Sequence, residues 1–311
     1  MAFKTDWAAY DQALKQRGSI TLWMSDEAIA QWNSKPTGKR GAQLTYSDLA
    51  IETSLTLRLV FKQGLRQTEG FVESLFELMN LDLKAPDHST LSRRGMVLDI
   101  PSSTASFSDE GLVVVVDSTG LKIFGAGEWS ETKHGLSRRR QWRKLHLSIN
   151  AKTLEIVESS LTDNQVGDST EALHHINTIE APINEFMADG AYDCHQIYDA
   201  VEARDDGGNN AITIPPRKNA VVSEHFPENA TRRDVHVDFI DTHGRSAWEM
   251  ENEYSRRLLV ENAMGRFKGI IGSTLRARDI KSQKVEALLS CNILNKMARL
   301  GTPLRPSMAQ A

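Results

Sequence analysis

The stretch LVVVVDSTG, residues 112–120, is a run of leucine and valine that ends in an acid, Asp117, and a turn-forming glycine. β-branched residues are enriched in strands because they pack well on a pleated surface. A polar segment, residues 104–111, precedes the run, and the chain before it has helical rather than β-type patterning. The stretch therefore predicts the first strand of a sheet and the point at which the chain changes class.

The residues after this strand alternate between strand and helix signals. Residues 142–150 place Leu145, Leu147 and Ile149 on one face, as a half-buried strand does. Further strands are predicted at 154–162, 185–193 and 210–216, and helices at 168–179 and 194–205. Three strands, then helix, strand, helix, strand and a closing helix is the order of the ribonuclease-H-like α/β fold. That fold has a mixed five-stranded sheet, with an antiparallel meander followed by parallel strands.

The region before the sheet is predicted to be mainly helical, with helical apolar spacing in residues 45–63 and 66–81 and a short polar helix at 87–95. Asp87 is a suitable N-cap and Gly95 a suitable end for that short helix. Helix, turn and short polar helix over residues 66–95 predict a helix-turn-helix, with Arg93 and Arg94 as candidate DNA contacts. The alternative is an ordinary helical hairpin.

Composition limits the class of protein. The 311 residues contain 40% apolar and 25% charged residues, which is ordinary for a globular chain of up to two domains. Cys194 and Cys291 form no CxxC pair, which fits a reducing compartment. No apolar run approaches the ~20 residues of a membrane span, and the opening residues lack the apolar core of a signal peptide. We therefore expect a soluble, intracellular protein.

The net charge of −4 argues against nucleic acid, but the distribution of charge favours it. Residues 133–144, KHGLSRRRQWRK, are rich in lysine and arginine and contain no acid, and residues 254–284 carry eight basic residues against two acids. Such segments are typical of a surface that meets a polyanion, although a solvated charged face is the alternative. The candidate DNA contacts in the first segment are Arg139, Arg140, Arg143 and Lys144.

Three acids fall at positions where this fold would bring them together. Asp117 ends the first predicted strand, Asp189 ends the fourth, and Glu261 lies on the closing helix. The first and fourth strands are neighbours in this topology, about 4.8 Å apart. Converging carboxylates are the ligands that Mg²⁺ and Mn²⁺ prefer, and two such ions serve phosphoryl transfer. One strand-end aspartate alone is more often a cap or turn residue.

The segment around Glu261, YSRRLLVENAMGRFKG, has a polar side of its own. On a helix, Tyr254, Arg257, Glu261 and Lys268 share an arc of roughly 60°. A phenol, a guanidinium, a carboxylate and an ammonium on one narrow arc suit a site for metal ions and phosphates. A surface row of salt bridges is the alternative.

These four residues fit Y-(2)-R-(3)-E-(6)-K, the signature of bacterial insertion-sequence DDE transposases, which the chain resembles. VVVVDSTGLKIFGAGEW resembles their first-aspartate region, and MADGAYD the second. The amino-terminal stretch DWAAYDQALKQRGSITLWMSDEAIAQW is similar to the insertion-sequence-five type within the IS-four-like superfamily. The resemblance therefore extends over nearly the whole chain.

The resemblance implies two domains with different roles, in a protein of the bacterial cytoplasm that is associated with the nucleoid. A helical DNA-binding domain would occupy residues 1–110 and the catalytic domain residues 111–301, with an insertion at about 217–253 and a tail at 302–311. Asp117, Asp189 and Glu261 would hold two Mg²⁺ or Mn²⁺ ions, and Tyr254, Arg257 and Lys268 would contact phosphates, these six residues forming the implied site. The partners would be double-stranded DNA, as terminal inverted repeats and target, and further copies of the chain in a synaptic complex.

Some assignments stay open at this point. Trp248 is either a packing tryptophan, which we favour, or an aromatic side chain that holds a flipped base, as in related transposases. Asp193 is interpreted as a helix N-cap rather than as a fourth acid near the metals. The leading function is cleavage and joining of DNA ends. A hydrolytic nuclease of the same fold and a repressor with an inactive catalytic domain are the alternatives.

Overall fold

The computed structural model describes residues 7–36, 38, 40–41, 43–102, 111–124, 142–204, 207 and 209–300. Arg139, Arg140 and the predicted tail at 302–311 lie outside these residues. The chain forms two compact units, one of residues 1–101 and 270–311 and the other of residues 102–269. No described helix is long and apolar enough to cross a membrane.

The chain begins with helices and continues with the sheet. The helices are α1 (Trp7–Arg17), α2 (Ile20–Trp23), α3 (Asp26–Ala30), α4 (Asp48–Val60), α5 (Leu65–Leu78) and α6 (His88–Gly95). The sheet region then contains β1 (Leu112–Ile123), β2 (Trp142–Asn150), β3 (Ile156–Asp163), α7 (Asp168–Thr178), β4 (Ile183–Met187), α8 (His195–Glu202) and β5 (Ala211–Thr213). The remaining elements are α9 (Arg232–His243), α10 (Arg245–Glu251), α11 (Leu258–Ile270), β6 (Thr274–Leu275) and α12 (Ile280–Arg299).

The core of the first unit joins both ends of the chain. Trp32 and Phe76 meet edge to face with their ring centroids 4.9 Å apart. The last helix, α12, adds an apolar row to the same core, composed of Val285, Leu289, Ile293 and Met297. The compact units therefore differ from the predicted limits of 1–110 and 111–301. A row of apolar residues at helical spacing predicts a buried face but does not identify the partner that covers it.

The connection between α5 and α6 departs from the predicted helix-turn-helix. Nine residues, 79–87, separate the two helices, whereas that motif uses a turn of three or four. The ring nitrogen of Trp32 donates to the carbonyl of Lys84, and the hydroxyl of Tyr46 donates to the carbonyl of Ala85, both at 2.9 Å. Asp87 does cap α6, since its Oδ1 accepts the amides of Ser89 and Thr90 at 2.9 Å.

The sheet of the second unit has the predicted topology. The five predicted strands have the order β3-β2-β1-β4-β5, in a sheet of six strands rather than five. The β1–β2 and β2–β3 pairs are antiparallel, and the β1–β4 and β4–β5 pairs are parallel. Valines of β1 pack with Ile183 and Phe186 of β4 and with Ile176 of α7 in one buried cluster. The predicted α/β fold of the ribonuclease-H-like type is thereby confirmed.

Two strand limits differ from prediction in a way that affects the acids. β1 continues to Ile123, so Asp117 lies within the strand rather than at its end. Beyond Asp117 the strand pairs with β2, whereas its described parallel pairing with β4 reaches only Val115 and Met187. β4 is shorter than predicted and ends before Asp189. Asp117 therefore lies just past the end of the parallel ladder, where backbone and side chains become accessible.

Candidate carboxylate site

Asp117 and Asp189 follow the same register of neighbouring strands. Val115 of β1 pairs with Met187 of β4, and each acid comes two residues after that pair. Two residues along an extended chain return a side chain to the same face. Asp189 has extended backbone angles and caps the short 3₁₀ turn Gly190–Tyr192 by accepting the Ala191 amide at 2.8 Å. The topology therefore brings the two aspartates to one end of the sheet.

The chain is closely packed directly after Asp189, where glycine avoids a tight contact. A Cβ at Gly190 would lie 3.1 Å from the carbonyl oxygen of Pro215, closer than side chains normally approach a backbone oxygen. The chain after β5 thus passes against the turn that carries Asp189. This close approach gives the DG pair of the second aspartate block a structural reason.

Glu261 joins the site through Arg257. The Nη1 of Arg257 lies 3.4 Å from Oδ2 of Asp117, and its Nη2 lies 2.5 Å from Oε1 of Glu261. One guanidinium therefore lies between an acid of β1 and an acid of α11. The side chains of Asp117 and Arg257 are each 21% exposed and that of Glu261 is 47% exposed, so solvent and ligands can reach the group.

The charges of the site act on one another. Burial raises the pKa of Asp117, the Ser118 amide partly offsets this, the carboxylate of Asp189 raises the pKa further, Arg257 lowers it, and Glu261 raises it. Burial alone would lower the pKa of Arg257, but Tyr254 and the carboxylates outweigh burial and raise it. Three carboxylates with one guanidinium leave an excess of negative charge at this end of the sheet.

The donor set fits a divalent cation, although the side chains are not arranged as a finished metal site. Among the described residues, no group of three or more His, Cys, Asp or Glu side chains is close enough to hold an ion. The guanidinium of Arg257 occupies the space between two of the acids and supplies positive charge there. Carboxylate oxygens are hard ligands of the kind that Mg²⁺ and Mn²⁺ prefer. Asp117, Asp189 and Glu261 are therefore the residues that could hold such ions.

The segment before Glu261 is not one continuous α-helix. Tyr254–Arg257 forms a 3₁₀ turn, and the α-helix begins at Leu258. The predicted single arc therefore holds for Glu261 and Lys268, while Arg257 reaches the acids from the turn. The ring of Tyr254 lies 5.4 Å from that of Trp248, and burial raises the pKa of its hydroxyl to about 12. Lys268 is exposed, and no described acid pairs with it.

Most of the other predicted DNA contacts are engaged within the protein. Arg94 donates to the carbonyl of Tyr46 at 3.0 Å and to Asp48 at 2.6 Å, and its side chain is only 15% exposed. Arg143 pairs with Asp163, and Lys144 pairs with Asp168 at 3.2 Å. Arg93 is exposed on α6. Of these four, Arg93 alone presents its charge outward in the described part of the chain.

Trp248 is a core residue. Its side chain is fully buried, and its ring nitrogen donates to Nδ1 of His236 at 2.9 Å. The other ring nitrogen of His236 bonds to the carbonyl of Ile212 at 2.8 Å. The favoured packing interpretation is confirmed, and the alternative, in which Trp248 contacts DNA by holding a flipped base, is wrong because the indole is buried.

Sequence reasoning missed two ion pairs that fix the surroundings of the acids. Asp193 is not a helix N-cap, since its carboxylate forms two hydrogen bonds with Arg233 and accepts the amide of Arg217. Arg256 pairs with Glu185 of β4 at 2.8 Å, which ties the 3₁₀ turn to the sheet. Acid and base in these pairs are 40 and 71 residues apart, so no local spacing could indicate them.

Comparisons with known proteins identify related domains. Two family models, each described as a transposase DDE domain, match residues 15–126 and residues 108–296. A solved structure described as the cryo-EM structure of a piggyBac transposase synaptic complex with hairpin DNA is similar over 89% of this chain and 73% of its own. That likeness has a TM-score of 0.40 and 10% sequence identity.

Proposed function

Because this chain belongs to the family of transposase DDE domains, we propose that it binds the terminal inverted repeats of an insertion sequence, cleaves the ends and joins their 3′-hydroxyls to target DNA. Membership confirms the resemblance predicted from the sequence. It also makes the chain a metal-dependent polynucleotidyl transferase. Which DNA it recognises, which bonds it cuts and whether it joins the ends are parts of the proposal.

One observation carries the proposal. Arg257 bridges Asp117 and Glu261, and the carboxylates of Asp189 and Glu261 both raise the pKa of Asp117. Acids from β1, from the turn after β4 and from α11 therefore share one electrostatic environment, in which three carboxylates face one guanidinium. We assign these three acids as ligands of two Mg²⁺ or Mn²⁺ ions. Such ions, when bound, activate a water or 3′-hydroxyl and stabilise the leaving oxygen.

The neighbouring cations have a separate role in the proposal. A guanidinium can hold a phosphate through two parallel hydrogen bonds, and Arg257 lies between the acids where a phosphate near the cut would have to be. Lys268 is two turns beyond Glu261 and acts as a point charge on a neighbouring phosphate. Tyr254 contacts the same strand from the 3₁₀ turn. Two or more copies of the chain assemble on a pair of ends.

The test compares neutral replacements of the three acids with a matched control. Asp117→Asn, Asp189→Asn and Glu261→Gln each remove a charged ligand at nearly constant shape, whereas Asp199→Asn removes an exposed acid of α8. We expect cleavage of labelled end DNA with Mg²⁺ to fall on the order of a thousandfold or more in the first three variants, because a metal supplies several kcal/mol. End binding should persist in all four.

Two further assays separate the alternatives. A pre-cleaved end with a free 3′-hydroxyl should be joined to target DNA by the parent protein. Cleavage without joining would indicate a hydrolytic nuclease of the same fold. Sequence-specific binding with no metal-dependent cleavage by the parent would indicate a repressor with an inactive catalytic domain. Near-normal cleavage by any of the three acid variants would remove that residue from the ligand set.

A further inference from the structure

The first compact unit contains a cavity of about 400 Å³ between α4, α6, α12 and the segment before α12. Its walls combine leucines, among them Leu59, Leu91 and Leu289, with the arginines Arg58, Arg276 and Arg278. A volume of this size, with apolar walls and a few polar groups, is typical of ligand sites. The described lining residues belong to the first unit and are separate from the carboxylate site.

Arg58 is the most unusual residue of this cavity. It is partly buried on α4, and its buried Nε has no hydrogen-bond partner among the described residues. Burial lowers the pKa of its guanidinium, and the charge of Glu286 offsets this in part. A buried donor without an acceptor destabilises the fold, so a ligand or water that accepts its hydrogen bond is favoured.

The acids near the cavity do not pair with its arginines. The carboxylate of Glu286 accepts the backbone amides of Arg276 and Ala277, each at 2.8 Å. Asp279 accepts the amide of Lys281 at 2.8 Å as the N-cap of α12. No described carboxylate forms an ion pair with Arg58 or with the other two arginines. The three lining arginines exceed the two lining acids, Asp279 and Glu286, by one positive charge, which is available to an anion.

The segment that carries two of the arginines is held in place. The Nη1 of Arg276 donates to the carbonyls of Lys62 and Gln63 at 2.6 and 2.9 Å. The side-chain Nε2 of Gln283 donates to the carbonyls of Ala277 and Arg278 at 3.0 and 3.2 Å. A ligand would meet these groups already ordered, which lowers the entropy lost on binding.

We propose that this cavity binds a phosphate group, with the atoms attached to the phosphate lying against the leucines. Guanidinium groups match phosphate oxygens in geometry and charge. In a transposase the most abundant source is a backbone phosphate of DNA, with its deoxyribose on the apolar wall. The choice of DNA as the source rests on the proposed function, whereas the phosphate site rests on the cavity alone.

The first experiment measures DNA affinity of the full-length chain in metal-free buffer by fluorescence anisotropy across a salt series. Arg58→Met keeps length and apolar volume, Arg278→Gln removes an exposed charge, and Arg66→Gln removes a charge on α5 outside the cavity. We expect about tenfold weaker binding for each cavity variant, with a salt slope smaller by about 0.9 per lost phosphate contact. Arg66→Gln should match the parent.

Thermal unfolding of the same proteins separates binding from folding. Arg58→Met removes a buried donor without an acceptor, so its Tm should equal or exceed that of the parent even though its affinity falls. Equal affinity and slope for Arg58→Met, Arg278→Gln and Arg66→Gln would count against DNA as the source of the phosphate. A Tm of Arg58→Met well below that of the parent would indicate a structural role and overturn the proposal for Arg58.

A second arm identifies the source of the phosphate and stands apart from catalysis. Inorganic phosphate and a deoxynucleoside monophosphate are added at millimolar concentration, and the rise in Tm is compared between the parent and Arg58→Met. A rise in the parent alone supports the cavity as a phosphate site even where DNA affinity is unaffected. If the parent and Arg58→Met do not differ in either DNA affinity or the rise in Tm, the proposal is overturned. Both arms are measured without metal ions and without cleavage, so loss of cleavage leaves this test intact.

Discussion

Two groups of charged side chains flank the turn after β4, and they differ in how completely their charges are matched. Asp193 is fully buried at its side chain and takes two hydrogen bonds from Arg233, at 2.7 and 3.1 Å. Four residues earlier, Asp189 belongs to a group in which three carboxylates, those of Asp117, Asp189 and Glu261, act on one guanidinium, that of Arg257. In the first group, which we call the closed group, the charges of Asp193 and Arg233 are matched. In the second, the open group of Asp117, Asp189, Glu261 and Arg257, the negative charges exceed the positive one.

This difference in charge matching separates an acid that is paired within the protein from acids whose negative charge is only partly balanced. In a buried pair with matched hydrogen bonds both charges are satisfied, and removal of one partner leaves the other charge buried and unpaired. A partly exposed group with surplus carboxylates gains stability only when a cation arrives. The Asp193 pair also joins α9 of the predicted insertion to the turn next to Asp189, so the closed group positions the open one.

The largest effect on stability is expected from removing the cation of the closed group. Arg233→Met leaves the buried carboxylate of Asp193 unpaired and should lower the free energy of unfolding by about 3–5 kcal/mol. Arg232→Met is the matched control, because Arg232 pairs with Glu202 at 3.3 Å where both side chains are over 40% exposed. An exposed pair of this kind contributes about 0–1 kcal/mol. Denaturant unfolding of both variants measures the difference, and equal losses would remove the distinction between the two groups.

A smaller effect is expected from removing Arg257 of the open group or Lys268, which lies further along α11. Arg257→Ala and Lys268→Ala should each weaken binding of end DNA by up to about tenfold and lower the salt slope by about one unit for each lost phosphate contact. Neither variant should change which metal supports cleavage, because no ligand is lost. Lys152→Ala, in the turn after β2, serves as the control. Unchanged affinity and slope in both variants would make these cations surface partners of nearby acids.

The smallest effect is a gain in stability at the open group. The pKa of Asp117 is raised above its usual 3.8, first by burial and then by its acidic neighbours. The ionised form is therefore disfavoured in the folded state, and this penalty is absent below pH 3.8 and appears as the pH rises through the raised pKa. In metal-free buffer the Tm of Asp117→Asn minus that of the parent should be larger at pH 7 than at pH 3.5. A difference that shrinks or reverses at pH 7 would contradict the raised pKa.

The sequence predicted the open group because periodicity and topology determine it. The run at 112–120, the alternation at 142–150 and the order of later elements were enough to predict the sheet and to bring Asp117 near Asp189. The resemblance around Glu261 supplied the third acid. Each of these inferences depends on local pattern or on strand order, which a sequence displays directly.

The closed group and the limits of the compact units could not be predicted from local pattern or strand order. Asp193 and Arg233 are 40 residues apart, and an aspartate before a helix is more often a cap than half of a buried pair. The apolar row of α12 has helical spacing, which indicates a buried face but not that the first unit covers it. The engagement of Arg94 with Asp48, 46 residues away, likewise depends on the packing of α6 against α4. Long-range partners of charged side chains are set by tertiary structure and not by spacing.

The most direct measurement of the central claim is the binding of Mn²⁺ to the full-length chain, followed by electron paramagnetic resonance of the free ion. The account predicts saturable binding by the parent and by Asp199→Asn. It predicts affinity at least about tenfold weaker in Asp117→Asn, Asp189→Asn and Glu261→Gln, because each loses a charged oxygen ligand. Superimposable titrations for the parent and all three acid variants would contradict it, since the surplus carboxylates would then not be the metal site.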